Sequence, residues 1–339
     1  MSTMRAVLIK DAKGPIENLY VGNIERPVPE EGQVLVKISA FGLNGMDLAQ
    51  REGMYPPPPG TSHILGVEFS GVVHQLGPGV TKWSQGDEVY GLVGGGAYAE
   101  YVVCNHGLLI KKPATLSWVE AASIPENYIT AYQAMVKYGQ VNKGDNVLVH
   151  AGASGVGVAA IQIARVLGAH TVTATASKRD KLEWLLSIPN GATHAVNYTS
   201  DDFAEHVKQT TNGKGVDVII DFVGRTHWEK NIDSLAIDGR MILLAFLSGG
   251  DVPSVNLRPI LYKRLKIQGS TLRSRSLDYQ TDLINSASFG AVVSQITGAE
   301  GNGPLRTYIH KVYPWNEIQQ AHREMAENKN SGKIVVTVS

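Results

Sequence analysis

A glycine-rich segment, residues 151–157, has the spacing of a nucleotide-binding loop. It reads Ala-Gly-Ala-Ser-Gly-Val-Gly, between the apolar runs Asn146–His150 and Val156–Leu167. Glycine allows a tight turn out of a strand, and without a Cβ the backbone can approach a pyrophosphate closely. The helix predicted after the loop offers unpaired N–H groups and a positive dipole end to that anion. The pattern predicts a dinucleotide site that uses Gly152, Ser154, Gly155, Val156 and Gly157. Ser154 stands where a strict Gly-x-Gly-x-x-Gly has its middle glycine, so the alternative is a glycine turn that only packs helix against strand.

The residues after the next predicted strand indicate which dinucleotide binds. An NAD enzyme usually has Asp or Glu about 20 residues after the first glycine, where it accepts from the ribose 2′-OH. Here residues 173–179 contain no acid, but end in Ser177, Lys178 and Arg179. Because a hydroxyl and cations suit a 2′-phosphate, we predict NADPH, bound by Ser177 and Lys178, with Arg179 as a third candidate. The alternative is a helix start in which Ser177 and Asp180 form a capping box.

Residue types that could hold a metal or act as a nucleophile are scarce in this sequence. Cys104 is the one cysteine, which excludes sites with several thiolates and any disulfide within the chain. The ten histidines are scattered and form no His-Glu-x-x-His motif, and there is no Gly-x-Ser-x-Gly. We predict no metal site, and a buried structural role for Cys104.

The residues described above lie in two parts of the chain that differ in predicted secondary structure. The chain has 339 residues, which suits about two domains. Residues 1 to about 125 are rich in Gly, Pro and short β-type runs, which predicts a β-rich lobe. From Asp145 onward strands and helices alternate, which is typical of a doubly wound parallel sheet. A helix over Asn316–Glu327 and a strand over Lys333–Val338 are predicted to end the chain.

Charge and hydropathy narrow the class of partner. Lys plus Arg and Asp plus Glu both number 31, so the formal net charge is zero. Nucleic-acid and membrane-surface binding both depend on excess positive charge, so neither is expected as a main function. No apolar run approaches the roughly 18–20 residues that span a bilayer. We expect a cytoplasmic protein.

Several segments carry a family resemblance. Gly66–Gly71, Gly86–Val89, the 151–157 loop and Asp221–Gly224 together resemble the medium-chain dehydrogenase/reductase superfamily. The resemblance covers essentially the whole chain. It implies an α/β protein with a GroES-like β-rich catalytic domain, residues 1–127 and 274–339, and a Rossmann NADPH-binding domain, residues 128–273. A finer resemblance is to zinc-free, zeta-crystallin-like quinone oxidoreductases of the stress-inducible branch, carried by Gly14–Tyr20, Tyr55–Gly60, Ile124–Glu126, Thr130–Ala131, Leu272–Arg275 and Asn328–Lys333.

The resemblance also assigns residues to roles. Zinc alcohol dehydrogenases of the superfamily have the ligands of a catalytic zinc at the positions of Asn44, Val67 and, nearby, Glu126. They also have a structural zinc lobe with four cysteines, which this sequence lacks. Neither of these two zinc ions is therefore expected. Asn44, Tyr55 and Thr130 would line the nicotinamide and substrate site. The further cofactor-contact positions are Tyr198, Phe222, Val223, Phe246, Leu247, Leu272, Asn330 and Lys333. Structural alternatives remain: Tyr55 as a loop tyrosine packed on its prolines, and Asn44 as a turn residue before a helix. The resemblance implies a homodimer, with Ile267–Thr271 as the strand that pairs across its axis.

The missing acid and metal favour one class of substrate. Hydride transfer to a simple ketone makes a basic alkoxide, which needs a Lewis acid or a proton donor. A quinone becomes aromatic on reduction and needs positioning more than acid catalysis. We therefore predict NADPH-dependent reduction of quinones, ortho-quinones in particular. One alternative is reduction of an activated C=C bond in an enone or alkenal. Another is an NADPH-binding, crystallin-like or RNA-binding protein with little catalysis.

Overall fold

The computed structural model describes residues 2–338. The chain divides into two compact units. Unit 1 comprises the chain up to Ile129, Leu272–Asn302 and the chain from Arg306 onward. Unit 2 comprises Thr130–Thr271 and Gly303–Leu305. The predicted limits of the two family domains stay a prediction.

The first part of the chain is mainly strands, as its turn-rich sequence predicts. The strands are β1 (Thr3–Ile9), β2 (Leu19–Glu25), β3 (Gln33–Gly42), β4 (Glu68–Leu76), β5 (Glu88–Leu92), β6 (Tyr101–Asn105) and β7 (Leu109–Lys111). The helices are α1 (Gly45–Arg51), α2 (Trp118–Ala122) and α3 (Pro125–Tyr132), which continues as a π-helical turn, Gln133–Tyr138.

Strands and helices then alternate through unit 2. In order they are β8 (Asn146–Val149), α4 (Gly155–Val166), β9 (Thr171–Ala176), α5 (Arg179–Ser187), β10 (His194–Asn197), α6 (Phe203–Thr210), β11 (Val216–Asp221), α7 (Trp228–Ser234), β12 (Leu235–Leu243), α8 (Arg258–Tyr262) and β13 (Lys266–Gly269).

The last part of the chain contains α9 (Leu277–Asn285), α10 (Ala287–Val293), β14 (Ile296–Thr297), β15 (Leu305–Arg306), β16 (Ile309–Pro314), α11 (Ile318–Ala326) and β17 (Lys333–Thr337). Single 3₁₀ turns lie at Lys10–Ala12, Ile16–Asn18, His106–Leu108, Arg225–His227 and Trp315–Glu317.

The sheet of unit 2 has the strand order β10-β9-β8-β11-β12-β13, and all its pairs are parallel. Relative to the first strand this is the order 3-2-1-4-5-6 of dinucleotide-binding sheets, which confirms the predicted doubly wound fold. Its central strands are buried on both faces, as near-continuous apolar runs require. Leu148, Ile219 and Met241 share one core cluster on this sheet, each less than 1% exposed.

One strand of unit 2 differs from its prediction. The sequence predicts a strand over 241–246, but β12 begins at Leu235 and ends at Leu243. Its pairing with β11 shifts between Val216 and Val218, and Asp238 has a φ of +62°. The Asp238-Gly239 pair is therefore an irregularity within the strand.

In unit 1 the chain's last strand lies beside its early strands. The main sheet has the order β16-β17-β3-β4-β5-β7, with β6 also paired to β3, and β1 and β2 form a separate antiparallel pair. The register sets Val335 opposite Gly42 and Phe41 opposite Phe69. This pairing brings the ends of β3, β4 and β17 together and positions the polar cluster of this unit.

Candidate active site

The glycine loop of unit 2 forms the turn that the sequence predicts. Ser154 is the N-cap of α4, and its hydroxyl accepts from the N–H of Gly157 at 3.1 Å. A Cβ on Gly157 would lie 2.5 Å from the carbonyl oxygen of Ala151, and one on Gly152 would lie 2.8 Å from Cβ of Ala174. Positions 152 and 157 have no room for a side chain, and the start of α4 presents backbone N–H groups, so the loop fits the pyrophosphate of a nicotinamide dinucleotide.

The residues predicted to read the 2′-phosphate follow β9 directly. Ser177 is partly exposed, and Lys178 and Arg179 are exposed. The N-cap of α5 is Lys178, and its side chain makes no cap hydrogen bond. The predicted alternative, a capping box from Ser177 to Asp180, requires Ser177 at the N-cap and is therefore wrong. Arg179 donates from Nε to Glu183 at 2.7 Å on the exposed surface of α5.

Other predicted cofactor contacts lie where parallel strands of unit 2 end. Tyr198 follows β10 and is 38% exposed, and Phe246 and Leu247 follow β12 and are 55% and 72% exposed. Phe222 and Val223 follow β11. Carboxyl ends of parallel strands meet at one edge of a sheet, which is where such sheets bind ligands. Exposure of large apolar side chains at this edge suits contact with a bound planar molecule.

The turn after β11 is fixed by a buried carboxylate. Oδ1 of Asp221 accepts from the N–H of Val223 at 2.7 Å, and Oδ2 accepts from the N–H of Gly224 at 3.2 Å. The N–H of Leu247 donates to the carbonyl oxygen of Phe222 at 2.9 Å. Gly224 has a φ of +81°, so the Asp-Phe-Val-Gly segment requires glycine at its end. The structure thereby brings Phe222 and Leu247 together.

Two buried histidines support this edge and were not identified from the sequence. Nδ1 of His150 lies 2.9 Å from Oγ1 of Thr175, and its Nε2 lies 2.7 Å from Oδ1 of Asn231. The ring of His227 is 4.7 Å from that of His150 and 5.2 Å from that of Tyr198. Burial lowers the pKa of His150 to about 4, and burial with the neighbouring His150 lowers the pKa of His227 to about 4. Both rings are therefore neutral near pH 7 and pack beside Tyr198.

Asn44 lies in a buried charged cluster in unit 1. Its Nδ2 donates to Oε1 of Glu68 at 2.9 Å, and its Oδ1 accepts from Nζ of Lys333 at 2.6 Å. Lys333 also pairs with Glu68 at 2.5 Å, and the two side chains are 4% and 0% exposed. Glu68 and Lys333 hold both polar atoms of the Asn44 carboxamide in a fixed orientation. Lys333, predicted as a cofactor contact, has its ammonium group in this cluster; its role toward a cofactor stays a prediction.

A zinc ion does not fit these residues. Oδ1 of Asn44 already faces the Lys333 ammonium group, a cation that would repel a metal ion. Val67 is fully buried and has no donor atom. The remaining position is near Glu126, whose backbone N–H donates to Oε2 of Glu68 at 2.8 Å. Across residues 2–338 no group of three or more His, Cys, Asp or Glu side chains is arranged to hold a metal ion.

A second buried carboxylate holds the segment around Asn44. Oδ2 of Asp47 accepts from the Asn44 N–H at 2.8 Å and from the Tyr98 hydroxyl at 3.1 Å. Its Oδ1 accepts from the N–H of Gly66 at 3.3 Å. Burial raises the pKa of Asp47 to about 6, although the Asn44 N–H and the Lys333 charge oppose the shift. Asp47 thus fixes the backbone of Asn44 and links the start of α1 to the segment before β4.

Beyond Asp47 the hydrogen bonds continue to the protein surface. The Tyr98 hydroxyl lies 3.3 Å from Nε2 of His322, and Nδ1 of His322 lies 3.0 Å from Nη1 of Arg51. Arg51 also pairs with Glu52 and donates from Nε to the Gly14 carbonyl at 3.2 Å. Burial, with the Arg51 charge, lowers the pKa of His322 to about 3. Separations of up to 271 residues explain why sequence spacing gave no sign of this network.

Tyr55 contacts an arginine to which no role was assigned from the sequence. Cζ of Arg273 lies 5.6 Å from the centre of the Tyr55 ring. Arg273 is 5% exposed, whereas Tyr55 is partly exposed. The residue lies within the resembling segment Leu272–Arg275, which was the only signal that could have identified it.

The remaining predicted residues are divided between the units. Leu272 is buried in unit 1, where Asn330 donates from Nδ2 to the Gly332 carbonyl at 2.9 Å. Thr130 is the first residue of unit 2 and lies partly buried within α3. Cys104 is buried on β6 with Sγ 3.4 Å from the Leu92 carbonyl oxygen, and burial raises its thiol pKa, which suits the expected inert role.

Two family models match successive parts of the chain. Residues 30–114 match the alcohol dehydrogenase GroES-like domain, and residues 155–288 match the family described as zinc-binding dehydrogenase. The second description names a metal that the donor atoms around Asn44 do not suit. No helix within residues 2–338 has the length and apolar character needed to cross a membrane.

Known proteins resemble the chain over its whole length. The quinone oxidoreductase of Lama guanicoe is 31% identical over 336 residues, which cover 98% of this chain and 97% of that protein. A solved structure named as an NAD-dependent alcohol dehydrogenase is 34% identical, with a TM-score of 0.82 and 99% and 100% of the two chains covered. The apo structure of JamJ enoyl reductase is 29% identical, with a TM-score of 0.84 and full coverage of both chains. With its GroES-like fold, its parallel dinucleotide-binding sheet and these relatives, the chain belongs to the medium-chain dehydrogenase/reductase superfamily of oxidoreductases.

Proposed function

We propose that the protein is a zinc-independent reductase that uses NADPH to reduce quinones, ortho-quinones in particular. The observation that carries the proposal is the Lys333–Glu68–Asn44 cluster. It places an ammonium group, held by two buried partners, against the residue that stands at the superfamily's metal-ligand position. Without a Lewis acid, the favoured substrate is one whose reduced form is stable without a strong acid, and a hydroquinone meets that condition. The Lama guanicoe relative, named a quinone oxidoreductase, supports the same class.

NADPH is favoured by the residues after β9. A 2′-phosphate carries a double negative charge, and Ser177 and Lys178 offer a hydroxyl and a cation to it. An acid that would bind the 2′-OH of NADH is missing between residues 173 and 179. One solved relative is named as NAD-dependent, so the ratio of activities with the two cofactors decides the matter.

The roles of the chain's own residues follow from their chemistry. When bound, the cofactor supplies a hydride, and a solvent proton completes the reduction of quinone to hydroquinone as NADPH becomes NADP⁺. The α4 N-terminus binds the pyrophosphate and the apolar edge of unit 2 excludes water. Asn44, held by Lys333 and Glu68, and Tyr55 position the substrate, while the role of Thr130 in unit 2 stays a prediction. Positioning and exclusion of water are what this reaction needs from the protein.

A second candidate is reduction of an activated C=C bond. It is favoured by the likeness to JamJ enoyl reductase, which is 29% identical over the full length of both chains. An enolate formed by hydride transfer to an enone needs a proton more urgently than a quinone product does. The two candidates therefore differ in how strongly the rate should depend on proton supply.

Substrate profiling tests the proposal. NADPH oxidation would be followed at 340 nm with 1,2-naphthoquinone, 1,4-naphthoquinone and trans-2-hexenal, with NADH in parallel. We expect 1,2-naphthoquinone to have the highest kcat/KM and NADPH to exceed NADH by about tenfold or more. A higher kcat/KM for hexenal would favour the C=C reductase. NADPH binding without turnover of any substrate would favour the non-catalytic alternative.

We also propose a homodimer formed through unit 2. β13 is the edge strand of its sheet, and the neighbouring α8 exposes Leu261 and Tyr262 by 72% and 71%. An open strand edge beside exposed apolar side chains is a surface that a second copy can cover. Sedimentation equilibrium should give a dimer mass, and Leu261→Asp with Tyr262→Asp should give a monomer.

A further inference from the structure

Arg273 is a buried cation in unit 1 whose hydrogen-bonding capacity is only partly used. Its Nε donates to the Gly94 carbonyl oxygen at 2.8 Å, and its Nη2 donates to Oε1 of Gln50 at 2.8 Å. Within residues 2–338 its Nη1 has no hydrogen-bond partner, and that atom is fully buried. A buried donor left without a partner is costly and rare in native proteins, and more so on a charged group.

The neighbouring residues hold the guanidinium group of Arg273 in place, but none of the described residues accepts a hydrogen bond from its Nη1. Gln50 is itself fixed, because its Nε2 donates to the His63 carbonyl oxygen at 3.2 Å. Asp47, Tyr55 and Glu126 act on Arg273 through electrostatic interactions. Burial lowers the pKa of Arg273, yet a guanidinium group remains charged at any pH near neutrality.

A second buried arginine in the same unit has a hydrogen-bond partner for each of its side-chain nitrogens. Arg51 is 2% exposed, and all three of its nitrogens have partners: the Gly14 carbonyl, His322 and Glu52. Both arginines are buried to a similar degree, so burial alone does not explain the unused Nη1 of Arg273. The difference is that Arg273 lies beside Tyr55, the predicted substrate-lining residue.

We propose that Nη1 of Arg273 binds a substrate carbonyl oxygen and stabilises the negative charge that develops on it during reduction, with the Tyr55 ring beside the guanidinium group. The proposal rests on the proposed reductase function and extends it. Hydride transfer to the conjugated system moves an electron pair onto this oxygen, and a solvent proton then converts it to a hydroxyl group. A fixed cationic N–H donor in a dry site performs the task that a Lewis acid performs in metal-dependent relatives. It selects substrates with a conjugated carbonyl oxygen, such as quinones.

Kinetics of Arg273→Gln and Arg273→Lys test the assignment. With 1,2-naphthoquinone, we expect kcat/KM to fall by about 10- to 100-fold in Arg273→Gln, because a charge-assisted hydrogen bond is lost. Arg273→Lys keeps the charge and should retain more activity. The NADPH dissociation constant should stay within about twofold of wild type. Guanidinium chloride at low millimolar concentration should partly restore turnover of Arg273→Ala, a rescue that a structural arginine does not give.

Arg51→Lys is the matched control. It changes an equally buried arginine whose bonds are internal, so it should lower the melting temperature without rescue by guanidinium. An unchanged kcat/KM in Arg273→Gln, or a loss explained wholly by a lower melting temperature and weaker NADPH binding, would overturn the proposal.

A binding measurement separates this proposal from the function on which it rests. Titration calorimetry would measure the affinity of 2,3-dihydroxynaphthalene, an analogue of the hydroquinone product, for the protein saturated with NADP⁺. We expect Arg273→Gln to weaken binding by about tenfold or more. If wild type reduces no quinone or enone, the proposed function fails. The binding ratio still decides whether Arg273 binds a phenol oxygen, and equal affinities would contradict that.

Discussion

The glycine loop of unit 2 and the Lys333 cluster of unit 1 differ in whether their polar groups face a ligand or pair with one another. The loop presents uncharged backbone N–H groups at the start of α4, within seven consecutive residues. The cluster brings an acid, a base and an amide from residues 68, 333 and 44 into a buried hydrogen-bonded group. The backbone N–H groups at the start of α4 can bind a ligand, whereas the charged side chains of the cluster pair with one another.

That difference predicts different responses to mutation. A backbone site fails when a side chain blocks it, and its failure is mainly a loss of affinity. A buried charge cluster fails when one member is removed, because the remaining charge stays in a medium of low polarity. Unit 1 contains both kinds of group. Nη1 of Arg273 has no hydrogen-bond partner within residues 2–338, whereas Nζ of Lys333 pairs with Glu68.

The largest effect is expected from Lys333→Met. Removing the ammonium group leaves the fully buried Glu68 carboxyl group without its counter-charge, which should lower the free energy of unfolding by about 3–5 kcal/mol. Urea unfolding followed by circular dichroism measures the change. Lys112→Met is the control, because its partner Glu88 is 50% exposed and can be solvated, so the cost there should be about 0–1 kcal/mol. The double variant Lys333→Met with Glu68→Gln should recover part of the loss. Equal costs for the two lysines would show that the cluster is not a buried ion pair.

Gly157→Ala should weaken NADPH binding. The added Cβ would meet two carbonyl oxygens of the loop, those of Ala151 and Gly152, at 2.5 and 2.8 Å, so the loop must shift. A strain of about 1–3 kcal/mol corresponds to a loss of affinity of about 5- to 150-fold. Fluorescence titration measures the dissociation constant. In the control Gly290→Ala the Cβ meets nothing within 4 Å, so affinity should not change. Wild-type affinity in Gly157→Ala would contradict the loop's role.

His322→Gln should reduce the pH dependence of stability. The unfolded histidine takes up a proton near its ordinary pKa of 6.5, while the folded one stays neutral until about pH 3. Its contribution is therefore present above pH 6.5 and is lost as pH falls toward 3, by about 1.4 kcal/mol per pH unit. Asp47, whose pKa is raised, contributes the opposite slope as pH rises toward 6, and it remains in both proteins.

Urea unfolding at pH 7 and pH 5 measures this difference. Wild type should lose about 2 kcal/mol more than His322→Gln between the two values. His170→Gln removes an exposed histidine in the same way and is measured in parallel as the control for the substitution itself. Parallel slopes in wild type and His322→Gln would mean that the pKa of the buried ring is the same in the folded and the unfolded protein, which would contradict the prediction.

The smallest effect is expected from Lys178→Gln. Loss of one exposed cation beside the 2′-phosphate should reduce the ratio of kcat/KM for NADPH over NADH by about tenfold. Lys208→Gln, an equal change of charge on an exposed lysine of α6, should leave the ratio unchanged. A ratio that is near one in wild type would contradict the proposed cofactor preference.

How far the sequence predicts these sites depends on how local they are. The loop and the order of strands and helices in unit 2 were predicted because their signals lie within windows of some 20 residues: Ser154 with Gly157, and buried apolar strands. Irregularity in β12 was missed because Asp238-Gly239 has the composition of a turn while tertiary pairing keeps it within a strand.

The side-chain clusters depend on contacts that spacing does not reveal. Asn44 and Lys333 are 289 residues apart, and they meet because β17 pairs with β3. Arg273 and Gln50 are 223 residues apart. For such groups a resemblance to known proteins points to segments, as Leu272–Arg275 did, but the hydrogen bonds that assign a role come from the fold.

The central claim is that the protein reduces its substrate without a metal ion, and single-turnover kinetics test it most directly. Protein dialysed against EDTA and loaded with NADPH would be mixed with 1,2-naphthoquinone, with and without added zinc, and zinc content would be measured by mass spectrometry. We predict the same rate constant for NADPH oxidation in both samples, with negligible zinc in the first. A rate that collapses in EDTA and returns with one equivalent of zinc would contradict the account.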